Sequence, residues 1–88
     1  MKIDKVNFLN KIKDLISEVN DQLVFKENMI FLDEGIDSLD YAFIVANLER
    51  NYNVDILNRS VSWQNVRTPI DLFHIFENFE NEIKNSIR

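Results

Sequence analysis

Ser38 stands where a serine hydroxyl can be put to use. Gly35, the only glycine in the chain, lies three positions before it, where an extended segment can turn sharply into a helix without a side-chain clash. Asp37 has the type and position of an N-cap. Its carboxylate can accept from the free amides of the first turn, while Asp40 can reach back as in a capping box and favours the positive end of the helix dipole. Ser38 then takes the first helical position with its hydroxyl outward. Nucleophilic catalysis would need a neighbouring base and a site for developing charge. The single histidine, His74, falls on a different helix, opposite that helix's apolar stripe, so no catalytic residue is assigned. Nor is a metal site indicated. Asp33, Glu34, Asp37 and Asp40 lack the alternating oxygen ligands and closing glutamate of a calcium loop, and the chain has no cysteine for thiolate ligation or a disulfide.

The element that must carry Ser38 is a helix over residues 38–52, and its apolar residues fall on two sides. At about 100° per residue, Tyr41, Ile44, Val45, Leu48 and Tyr52 cluster on one face, and Leu39, Ala42, Phe43 and Ala46 on the other. A surface helix needs one buried stripe. The second face is therefore either covered by another part of the chain, as in a central helix buried all round, or kept for a partner.

Three further segments surround this helix. A helix over about residues 5–20 carries Val6, Leu9, Ile12, Ile16 and Val19 at spacings of three and four, with Leu15 beside them. Residues 22–34 read as a long loop whose Leu23, Phe25, Ile30, Phe31 and Leu32 pin it across the bundle and deliver Gly35 and Ser38 to their places. After a turn at Asn58, Arg59 and Ser60, a short third helix is expected over about 60–66. Trp63 there is either a lid on the core or a neighbour of cargo or partner. The last helix, about 69–86, opens on Thr68 as cap, Pro69 at the first position and Asp71 in the first turn. Leu72, Phe76, Phe79, Ile83 and Ile87 form its stripe, with Phe73 and Ile75 at the edges.

The run Gly35-Ile36-Asp37-Ser38-Leu39-Asp40, the helix ending Leu48-Glu49-Arg50-Asn51-Tyr52 and the exit Val54-Asp55-Ile56 resemble the acyl carrier protein family. The resemblance covers nearly the whole chain, and it implies a small all-α four-helix bundle of the acyl-carrier type, with a long first loop and a short third helix. It further implies that Ser38 is esterified by 4'-phosphopantetheine, with Asp37 and Leu39 completing the attachment motif. The arm would carry an acyl or aminoacyl group as a thioester. Asp40, Ala42, Phe43, Ala46 and Glu49 would form the docking face for a phosphopantetheinyl transferase and for acyl-loading and acyl-using enzymes. The chain departs from fatty-acid-synthesis carriers at Phe43 and Arg50, where an outward carboxylate would be usual. Asn65-Val66-Arg67-Thr68-Pro69 is similar to stand-alone carriers of amino acids or specialised pathways. Housekeeping fatty acid transport and a dedicated carrier therefore both stand open.

Composition bounds the same conclusion independently. The 88 residues suffice for one domain with a core and no staples. The amino-terminal stretch has Asp4 and scattered lysines where a signal peptide would need an apolar run, and no segment reaches membrane-spanning length, so a cytoplasmic monomer is expected. Residues 1–26 hold five lysines against four acids, residues 59–88 four bases against four acids, and residues 27–58 seven acids against Arg50 alone. All of the net −5 thus gathers around Ser38. This is either a solvated face or a docking surface for basic partners, and it disfavours nucleic acid. The competing function is a small helical interaction module without a prosthetic group.

Overall fold

A computed structural model describes residues 3–55 and 66–86, the last six by their backbone alone. Among the described residues there are three α-helices and no strand: α1 (Lys5–Val19), α2 (Ser38–Tyr52) and α3 (Pro69–Ser86), with a 3-10 turn at Leu32–Glu34 before α2. The expected short helix over 60–66, and Trp63 with it, lie outside the described residues apart from Val66.

Each helix begins on local chemistry that the sequence carries. Asp4 caps α1, its Oδ2 accepting from the Asn7 amide at 2.9 Å. Thr68 and Asp71 form a reciprocal box at the head of α3: Thr68 Oγ1 accepts from the Asp71 amide at 3.2 Å, and Asp71 Oδ2 accepts from the Thr68 amide at 3.2 Å. The exit of α2 is a left-handed residue, Asn53 at φ +56°. The amides of both Asn53 and Val54 donate back to the Glu49 carbonyl, which closes the last turn.

The core forms where α1 packs against both of the other helices. Phe8, Ile12 and Ile16 from α1 meet Ile44, Val45 and Leu48 from α2 and Leu72, Phe73 and Phe76 from α3, all buried. Phe8 sits at its middle, with ring centroids 5.0 Å from Phe76, 5.5 Å from Tyr52 and 5.6 Å from Phe73. No polar or charged residue is buried among the described residues, so desolvated charge plays no part in holding this core.

The stripe read on α1 needs a correction. Val6 is 65% exposed, and Phe8, absent from that stripe, is fully buried. The buried set Phe8, Leu9, Ile12, Leu15 and Ile16 is centred about 120° away from Val6 around the helix. A stripe anchored on Val6 therefore starts one turn too early. The connection between α1 and α2 is corrected too. Phe31 is buried and Leu23 and Phe25 pack at the core's edge, but Ile30 and Leu32 face outward, while Met29 and Ile36 take the buried places. Two hydrogen bonds hold this connection to the head of α3: the Phe31 amide donates to the Arg67 carbonyl at 3.0 Å, and the Ile70 amide to the Glu27 carbonyl at 3.0 Å.

Candidate functional site

Four consecutive residues build the approach to α2, each with a different task. Gly35 adopts φ +81°, and a Cβ there would meet nothing within 4 Å, so backbone conformation and not space requires the glycine. Ile36 turns inward and is buried, its amide donating to the Phe31 carbonyl at 3.0 Å. Asp37 then caps the helix, Oδ1 accepting from the Asp40 amide at 2.9 Å. Ser38, the first helical residue, is exposed. A pinned Ile36 followed by a cap fixes the direction of the helix start, and the serine hydroxyl is left on the outside.

The remaining predicted site residues lie along the outward side of α2. Leu39 is 80% exposed and Phe43 42%, Ala42 is exposed, and Asp40, Ala46 and Glu49 are half-buried. Asn47 Nδ2 donates to the Phe43 carbonyl at 2.8 Å, a back-bond that turns its amide onto the helix instead of into solvent. Asp33, Glu34 and Asp37 are all exposed, and Asp33 and Asp37 share a groove with the serine, so these acids of the middle third form an acidic surface in space.

Next to Ser38 the fold opens a groove of about 670 Å³. It is lined by Ile30, Phe31, Leu32 and Ile36 from the connection, by Val66 and Arg67 from the segment before α3 and by Tyr41 from α2, with Asp33, Asp37 and Ser38 among the lining residues. Phe31 packs edge-on against Tyr41, ring centroids 5.6 Å apart at 64°. Burial, and secondarily the Asp71 charge, pushes the Tyr41 phenol well above its ordinary range, so it is a neutral hydroxyl at any physiological pH. Reading the sequence missed this groove. Ile30 and Leu32 were expected to pin the loop and instead form the outer lip. The available signal was their alternation with the inward Met29, Phe31 and Ile36.

His74 is exposed on α3, its Nδ1 3.7 Å from Glu77 Oε1, and it does not line the groove. Among the described residues no group of His, Cys, Asp or Glu side chains comes together that could hold a metal ion, and no helix is long and apolar enough to cross a membrane. The arrangement at Ser38 offers an accessible hydroxyl, a helix start with free amides, and an apolar recess beside them. Comparison with known proteins finds no family model, no curated protein and no solved structure that matches this chain.

Proposed function

We propose that the chain is an acyl carrier protein, a cytoplasmic, monomeric four-helix bundle that carries acyl or aminoacyl groups on 4'-phosphopantetheine attached to Ser38. One observation carries the reading: an exposed serine at the first position of α2, set there by Gly35 at φ +81°, buried Ile36 and the Asp37 cap, and opening onto an apolar groove. The residues fit the arm, since the hydroxyl is accessible and the groove offers an apolar surface beside it. When attached, the arm supplies a thiol on which an acyl group travels as a thioester.

The chain's own residues supply the rest. Ser38 Oγ forms a bond to phosphorus as the P–O bond of coenzyme A's pyrophosphate breaks and the nucleotide portion leaves. The hydroxyl proton would pass to a base in the complex with the transferase. At the head of α2, free amides and the helix dipole would offset the charge of a phosphodiester on Ser38 against Asp37 and Asp40. Asp33, Glu34, Asp37 and Asp40 steer basic partners, and Leu39, Ala42, Phe43 and Ala46 offer them an apolar contact between those charges. Glu49 extends the acidic rim to the far end of the helix.

Incubation with coenzyme A, magnesium and a broad-specificity phosphopantetheinyl transferase, followed by intact mass, tests the reading. The wild type is expected to gain one arm and Ser38→Ala none, with the helical signal and melting temperature of Ser38→Ala almost unchanged. Labelling at Ser17, Ser60 or Ser62 would defeat the assignment. The exposure of Leu39 and Phe43 also suits the second reading, an interaction module that binds through α2 without an arm. A chain that binds partners but never gains mass would favour that reading.

A further inference from the structure

Among the described residues that line the groove beside Ser38 there is one cation, Arg67, with the carboxylates of Asp33 and Asp37 on the same lining. No ion pair joins its guanidinium to a carboxylate among the described residues. The backbone of Arg67 is nevertheless held on both sides. Its amide donates to Asp71 Oδ2 at 3.1 Å and its carbonyl accepts from the Phe31 amide at 3.0 Å. Asp71 Oδ2 is shared with the Thr68 amide at 3.2 Å, so that carboxylate is engaged by the main chain. A long basic side chain thus leaves a fixed point on the groove lining with no carboxylate paired to it among the described residues.

A phosphoryl group on Ser38 would place further negative charge in the most acidic third of the chain, beside Asp33, Asp37 and Asp40. Resting on the carrier reading, we propose that Arg67 is the counter-ion of the phosphate on Ser38, its guanidinium reaching across the mouth of the groove to the phosphate oxygens. A guanidinium suits this role because its planar fork presents paired donors to phosphate oxygens and stays charged at every working pH. The contact draws the root of the arm toward the wall formed by Val66 and Arg67. It thereby leaves the outward Leu39 and Phe43 free for a partner.

The test uses the full chain with phosphoserine at position 38, which puts a phosphate on the same oxygen without any transferase, and follows its second ionisation by phosphorus NMR. That ionisation ordinarily lies at about pH 6. Asp33, Asp37 and Asp40 raise it, and the α2 amides and Arg67 lower it. Everything but the guanidinium is common to the wild type and Arg67→Gln, so the difference between them reports Arg67. The expected result is an ionisation higher by about half a pH unit in Arg67→Gln, the scale of one charge at about 5 Å in water. Arg67→Lys restores part of it, and 1 M salt shrinks the difference, since the screening length there is about 3 Å. Identical titrations of the wild type and Arg67→Gln would overturn the proposal. Loading of the unmodified chain from coenzyme A, measured alongside, separates the two readings. A titration difference without loading supports the Arg67 contact and defeats the carrier; loading with identical titrations defeats only the Arg67 contact.

Discussion

Ile44, Val45 and Leu48 on one side of α2 are sealed from solvent, whereas on the other side Leu39 is 80% exposed and Phe43, the immediate neighbour of Ile44, is 42% exposed. By residue type the two faces differ little. What separates them is the position of α1, which packs against α2 over the first face and leaves the second uncovered. Apolar character alone therefore does not mark the core of this small domain. A face the fold does not bury, lying between exposed acids and an exposed serine, is free to serve recognition.

The comparison breaks most visibly at Ile44. Ile44→Ser removes a fully buried side chain and puts a hydroxyl in an apolar core, so a loss of about 4 kcal/mol is expected, comparable with the whole stability of a marginal domain. Phe43→Ser, one residue away, should lose only about 1 kcal/mol, because part of its ring is already in water. Denaturant melts of the two side by side measure the difference. Equal losses would mean that both faces are core.

Where interactions are local, the sequence was readable. Asp37 before Ser38 and Thr68 with Asp71 around Pro69 place the starts of α2 and α3 by hydrogen bonds three residues long, and the helices begin at the expected residues. The partition of α2 into an inner and an outer face follows from helical geometry and was equally legible. Two features were not. Val6 continues the apolar spacing of α1 yet is exposed, because a first-turn residue can extend a spacing without facing the neighbouring helices, whereas Phe8, off that spacing, is fully buried. The groove escaped because it is tertiary: its walls come from residues 30–37 and from Val66 and Arg67, joined by the bonds from Phe31 to Arg67 and from Ile70 to Glu27. The alternation of outward Ile30 and Leu32 with inward Met29 and Phe31 is the one local sign of it, and no periodicity announces that Val66 and Arg67 close the same groove.

A smaller effect separates cap from charge at the boundary of the two faces. Asp37→Ala should destabilise the chain by about 1 kcal/mol, the worth of an N-cap, whereas Asp37→Asn keeps an acceptor for the Asp40 amide and should stay near wild type. If the chain is the proposed carrier, loading by a basic transferase should slow in both, since both lose the carboxylate. Salt should slow the wild type, because exposed charges are screened over about 10 Å at 0.1 M. Initial loading rates at low and moderate salt, set beside the melts, tell the two roles apart. If Asp37→Asn loads at the wild-type rate and salt has no effect, steering by the acidic surface is lost as an explanation and only the cap survives.

The smallest expected change in stability belongs to Leu39, and it sharpens the comparison most. Leu39→Ser gives up an exposed side chain and exchanges a strong helix former for a weaker one in the first turn, so the cost should stay within about 0.5 kcal/mol. If the outward face is a docking surface, the same substitution removes an apolar contact next to Ser38, and a contact of that kind can dominate an interface that is otherwise polar. Loading by the transferase is the assay, with the Michaelis constant read separately from the turnover. The expectation is a raised Michaelis constant at unchanged melting temperature, the reverse of Ile44→Ser, whose loading should fall only as far as its folded fraction falls. Should Leu39→Ser load like the wild type while Asp37→Asn is slow, the transferase would be held by charge alone, and the outer apolar face of α2 would have no part in loading.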